Sequence, residues 1–202
     1  MHSAASSPLN LDLPDPLAAL RSATREHHDR VDHLMDLQRL QEPGHYACVL
    51  QALDAFLAGW EPLVAAALPA CWQAWLQARS RRPFLQQDLR VLHLEARPPA
   101  QIAPIRTPAA AWGAIYVMEG SALGGQLIAR VLARHGLDAE RGAAYFHGWG
   151  EATATMWREA RAVLAAQLQT QPAITQACEA ACGTFDTLAH LLARSDERTA
   201  AA

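Results

Sequence analysis

Two stretches carry residue types and spacings able to do chemistry. In the first, RSATREHHDRVD (Arg21–Asp32), His27 and His28 stand side by side, with Arg21 and Arg25 seven and three residues before His28. At ~100° per residue, the helix predicted here puts His27 about 40° to one side of its apolar stripe and His28 about 60° to the other. Each is an imidazole at a core edge with guanidinium groups beside it, and periodicity does not choose between them. In the second, WGAIYVMEGSALGGQLIARVLAR (Trp112–Arg134), an apolar helix carries Gly113, Gly120, Gly124 and Gly125. Each glycine costs a helix about 1 kcal/mol relative to alanine, so something must offset them. Gly113, Gly120 and Gly124, at i, i+7 and i+11, share one face, where a flat or bulky partner can approach the backbone. Another helix is the ordinary partner and a planar ligand the alternative. A membrane helix is excluded, because Glu119, Gln126, Arg130 and Arg134 interrupt the apolar run.

Together the two stretches suit an iron porphyrin, which needs one axial nitrogen, a flat cavity and cations for its two propionates. Other metal chemistry lacks its ligands. Of nine histidines, His2, His45, His135 and His147 fall at ends or loops, where solvation is the default, and His93 and His190 read as packed side chains. There is no HExxH and no pair of ExxH motifs, so zinc-protease and di-iron readings fail. The four cysteines show no CxxC spacing; Cys178 and Cys182, at i, i+4, read as buried free thiols.

The elements that must position these residues are helices. Asp15 caps the first, with Pro16 at its first position, and it runs to about Leu37. A second spans about His45–Ala67, with Pro62 kinking its end. Short helices follow over Ala70–Ala78 and Phe84–His93, separated by a polar joint at Ser80–Pro83. A proline-rich connector, Arg97–Pro108, leads through Thr107 into the glycine-bearing helix, which Gly136 stops. Ala143–Trp149 reads as an aromatic loop or turn, and two more helices span about Glu151–Gln169 and Ala173–Arg194. No segment alternates like a strand. The expected fold is all-α, a single-domain bundle of seven to nine helices over residues 15–195, with flexible segments at 1–14 and 196–202.

Composition agrees: half the 202 residues are apolar, alanine and leucine dominate, and β-branched residues are few. The net charge of −3 implies no general attraction to nucleic acid. All 17 basic residues are arginine, so any anion site here uses guanidinium groups, suited to bidentate contact with carboxylates. No signal-peptide pattern and no membrane-spanning run is read, and the expected location is cytoplasmic.

Two of these motifs resemble those of a known family. LRSATREHHDRVD (Leu20–Asp32) resembles the first-helix motif of heme oxygenases, Leu-basic-x-x-Thr-x-x-x-His-x-x-x-acidic, and YVMEGSALGGQ (Tyr116–Gln126) resembles their distal-helix glycine motif. The form YV-x-EGS-x-LGGQ is similar to that of bacterial biliverdin-producing enzymes associated with bacteriophytochromes. The likeness extends through FLQQDL (Phe84–Leu89), the Trp157 helix and TFDTL (Thr184–Leu188), covering roughly residues 16–195.

The resemblance implies an enzyme that opens heme to biliverdin, CO and Fe²⁺, heme being substrate and cofactor together. It implies His28 as the proximal iron ligand, while His27 falls on a variable position. Arg21, Arg25 and Arg158 match basic positions near the propionates; Thr24, Tyr116 and Phe185 lie in the matching motifs and are expected at the heme. Gly120 and Gly124 match the glycines that let the distal helix lie against the porphyrin. Two departures stand out. Where many relatives carry an aspartate organising the proton-delivering water, this chain has Ser121, a hydroxyl that can hold water but is no carboxylate base. Ala154, one turn before Arg158, stands where some relatives place another base. Electrons must come from a separate ferredoxin, flavodoxin or reductase, since no flavin or nicotinamide motif is present. The alternative is a heme-binding or trafficking protein on the same scaffold without turnover. A thiaminase-like relative using Cys178 or Cys182 as nucleophile is a remoter one.

Overall fold

The computed structural model describes residues 13–200, with side chains for 13–194. The expected arm at 1–14 and tail at 196–202 lie largely outside those residues. Eight α-helical segments follow one another: α1 (Pro16–Met35), α2 (Pro43–Ala67), α3 (Gln73–Gln77), α4 (Arg82–Val91), α5 (Pro108–Ala133), α6 (Ala144–His147), α7 (Thr153–Gln167) and α8 (Gln171–Ala200), with no strand among the described residues.

The capping chemistry read from sequence sets the two helices that matter most. Asp15 Oδ1 accepts from the Leu17 N–H at 3.1 Å, and Thr107 Oγ1 accepts from the Ala110 N–H at 3.2 Å. Both side chains satisfy amide donors that a helix start leaves orphaned, and each has proline at the first helical position. Gly136, at φ +82°, takes the left-handed conformation just past the end of α5.

α8 is the spine of the bundle. α1, α2 and α5 all pack along it, α7 lies against α5, and α4 and α6 close the other end. The core fills with Leu20, Val49, Phe56, Trp112, Ile115, Leu164 and Ile174, none more than 2 % exposed. By length and hydropathy alone α2 is capable of crossing a membrane, contrary to the sequence reading; more than half of its apolar window is buried in the bundle instead. It also runs unbroken through Pro62.

At α6 a buried carboxylate replaces a conventional cap. Asp88 of α4, fully buried, accepts from the backbone N–H groups of Ala144 and Tyr145 at 2.7 and 2.8 Å. It thereby satisfies two donors of a one-turn helix whose own sequence supplies no side-chain cap. Burial pushes the Asp88 carboxyl up to about 6, against the opposing effect of those two hydrogen bonds.

Candidate functional site

α1 and α5 both rest on α8 but make only marginal contact with each other. On α1, the His28 side chain is about half exposed. His28 Nδ1 lies 3.2 Å from Asp32 Oδ2, one turn on, and its ring meets Phe185 of α8 edge-to-face at 5.6 Å between centroids. The Asp32 hydrogen bond, opposed by partial burial, holds the imidazole above its ordinary pKa. A carboxylate on Nδ1 fixes ring orientation and leaves Nε2 outside that contact. His27 instead ties α1 to α8, its Nδ1 2.8 Å from Asp186 Oδ1. Geometry therefore separates the two histidines that periodicity left equal.

Along the glycine stripe of α5 the neighbour changes from residue to residue. A Cβ on Gly113 would sit 1.9 Å from the Ala177 carbonyl oxygen, so this glycine exists for backbone-to-backbone packing on α8. On Gly120 it would meet only the Trp157 indole, at an ordinary 3.6 Å. On Gly124 it would meet nothing within 4 Å, and Gly183 of α8 is equally bare. Beside Gly124, Leu123 and Leu127 are 41 % and 51 % exposed. Gly124 and these two leucines thus form an exposed apolar surface with no protein neighbour at the glycine.

One turn before Gly120, Tyr116 packs on Trp157 at 5.7 Å, and its hydroxyl meets that of the buried Thr24, which donates to the Leu20 carbonyl at 2.8 Å. Burial raises the Tyr116 pKa; Thr24, Arg21 and Arg161 oppose it. Arg21 and Arg161 are thus the guanidinium groups near this tyrosine. Arg161 was not singled out from sequence, although it lies one turn beyond Arg158 on α7. Arg25 and Arg158 are exposed, and Arg158 bonds to Thr155 of its own helix at 3.1 Å.

Ser121 is partly buried. Its hydroxyl donates to the Met118 carbonyl at 2.9 Å and accepts from Arg81 Nη2 at 2.6 Å. Its proton is committed; one lone pair remains for a water. The same Arg81 nitrogen donates to the Met118 carbonyl at 2.7 Å, and the guanidinium lies over Tyr145 at 4.7 Å. Arg81, read from sequence as part of a polar joint, is only 5 % exposed and clamps the glycine-bearing helix from behind. Beside it, the buried Arg79 bonds Glu119 of α5 at 2.6 Å and Glu159 of α7 at 2.9 Å.

Three histidine readings are corrected. His45 is buried at the start of α2, against the Met35 carbonyl at 3.2 Å. His93 and His190 are exposed rather than packed: His93 ends α4 at φ +54°, and His190 lies on the outer face of α8.

The profile of the heme oxygenase family matches residues 70–194. A heme oxygenase of Xanthomonas campestris pv. campestris (strain 8004) is 37 % identical over 142 residues, spanning 69 % of this chain and 84 % of that protein. The chain belongs to the heme oxygenase family. The heme oxygenase of Neisseria meningitidis, solved with NO and CO bound, superposes with a TM-score of 0.73 over 91 % of this chain and 92 % of that one, at 21 % identity. That likeness establishes the fold, and the profile and the Xanthomonas relative establish the family. The profile begins beyond α1, so the reading of His28 rests on the geometry above.

Proposed function

We propose that this heme oxygenase binds heme between α1 and α5 and opens it to biliverdin with release of CO and Fe²⁺. The observation that carries this reading is the pairing of an imidazole whose Nδ1 is already engaged, His28, with a bare helix face at Gly124. The residues fit a porphyrin: one oriented axial nitrogen, a flat apolar wall and guanidinium groups at Arg21 and Arg161, with Arg25 and Arg158 on the same two helices. Heme is the substrate, and its iron supplies the oxygen activation when bound.

The chain's own residues do the rest. Asp32 orients His28, and Phe185 packs against its ring, so that Nε2 is presented in a fixed direction. Gly120 and Gly124 keep side chains away from the space beyond the iron, leaving room for a diatomic ligand and ordered water. Ser121, polarised by Arg81 and with its proton given to Met118, accepts a hydrogen bond from that water and orients it. No carboxylate stands at this position, so the proton itself comes from solvent-linked water. Electrons come from a separate ferredoxin, flavodoxin or reductase. The EGS-x-LGGQ motif supports a bacteriophytochrome-associated subtype whose biliverdin becomes a chromophore.

The test is an absorption time course, in which hemin is added to the protein, then ascorbate or a ferredoxin system in air. The expected result is a Soret band that decays into a broad red biliverdin band, and neither band in His28→Ala. A persistent oxy-heme spectrum would mark a carrier instead, and unchanged ligation and turnover in His28→Ala would remove the axial assignment.

A further inference from the structure

On the far side of α5 lies a second cavity, of about 270 Å³, between α2, α3 and α5. At ~100° per residue, the mean direction of Ile115, Met118 and Glu119, which face it, is roughly 145° around the helix from that of Tyr116, Gly120 and Gly124, with Glu119 and Tyr116 the nearest pair at about 60°. Its apolar walls include Leu57, Trp60, Val64, Trp75, Ile115 and Met118. Two indoles and a thioether favour a flat, polarisable occupant.

The charges on its walls are two arginines and two glutamates, Arg79, Arg81, Glu61 and Glu119. Arg79 and Glu119 close on each other at 2.6 Å. Arg81 spends only Nη2, on the Met118 carbonyl and Ser121; no carboxylate lies within salt-bridge distance of it, and its Nε and Nη1 hydrogens have no partner among the described residues. Those nitrogens, unlike the sealed Trp60 Nε1, are not shut off from solvent-sized space. Glu61 takes one hydrogen bond, from Ser80 Oγ to Oε1 at 2.6 Å, and its other oxygen has no partner among the described residues. The cavity thus offers one unused set of donors on a guanidinium and one unused acceptor on a carboxylate, with no net charge between them. An anion would meet Glu61 uncompensated, and a cation would meet Arg81. A neutral molecule carrying an acceptor beside a donor satisfies both.

We propose that this cavity is a second ligand site, taking a small neutral planar aromatic amide or lactam whose carbonyl accepts from Arg81 and whose N–H donates to Glu61. The site is separate from the proposed heme site and does not depend on turnover.

The test is calorimetric titration of the hemin-loaded protein with three isosteric probes: benzamide, benzoate and benzamidine. Benzamide is expected to bind at least about tenfold more tightly than either charged probe, the weight of one hydrogen bond to a charged group. The Soret band should stay unchanged, which excludes ligation to iron. Ala65→Trp, which places an indole in the cavity from α2, should weaken benzamide about tenfold or more while leaving the hemin spectrum intact. Arg81→Gln should also weaken it. Benzoate or benzamidine binding as tightly as benzamide would overturn the assignment, as would no benzamide heat at all, or affinity unaltered by Ala65→Trp.

Discussion

Gly124→Ala separates a ligand face from a packing face on a single helix. A Cβ at this position meets no protein atom within 4 Å, and the residue is in mid-helix. Without heme, the substitution therefore removes a glycine penalty at no steric cost and should stabilise the protein by roughly 0.5–1 kcal/mol, a rise of about 1–4 °C in Tm for a chain of this size. The same methyl group projects into the proposed heme space, so hemin affinity should fall and turnover should slow. Gly113→Ala is the internal control, eleven residues earlier on the same stripe. Its Cβ would lie 1.9 Å from the Ala177 carbonyl oxygen, a backbone atom that can yield only if α5 and α8 separate. About 3 kcal/mol or more of stability should be lost, at or above the upper end of ordinary overpacking. Thermal unfolding by circular dichroism with and without hemin, together with hemin titration, reads all of these quantities. An apo Tm that falls in Gly124→Ala, or hemin affinity and turnover that stay unchanged, would refute the reasoning that this glycine is reserved for a ligand.

Three further outcomes follow from polar groups held between the helices. Ser121→Ala should keep heme binding but slow turnover, and should cost about 1–3 kcal/mol because buried Arg81 loses an acceptor; an unaltered rate would place the proton path elsewhere. Arg79→Leu leaves Glu119 buried without its guanidinium and should destabilise by about 3–5 kcal/mol, most of which Arg79→Leu/Glu119→Leu should restore in urea unfolding; no restoration would mean that the pair does not act as a unit. The Asp88 carboxyl, raised in the fold to about 6 from an ordinary 3.8, contributes stability that is present below about pH 4 and lost as the pH rises through 6. Asp88→Asn should flatten the change in urea stability across that window while lowering stability overall, since it puts an NH2 donor in place of one of the two oxygens that accept from Ala144 and Tyr145; an unchanged slope would exclude Asp88 as its source.

Much of the molecule is determined locally and so is written in its sequence. The absence of alternating strands, the Asp15–Pro16 and Thr107–Pro108 helix starts and the Gly136 stop depend on backbone dihedrals and on side chains within a few residues, and the structure has all of them where the sequence puts them. The family motifs are local too, each lying within one helix. Tertiary structure decided what local spacing leaves degenerate. His27 and His28 flank one stripe almost symmetrically; only the placement of Asp186 and Phe185 on α8, more than 150 residues away, makes the first a tether and the second the open imidazole. Gly113, Gly120 and Gly124 are equivalent by helical phase, yet they meet a backbone, an indole and empty space because α5 diverges from its neighbours along its length. Arg81 reads as a surface joint because its partners, Met118, Ser121 and Tyr145, come from distant segments and a charge is ordinarily solvated. Periodicity fixes which face a residue takes, and only the packing of whole helices fixes what that face meets.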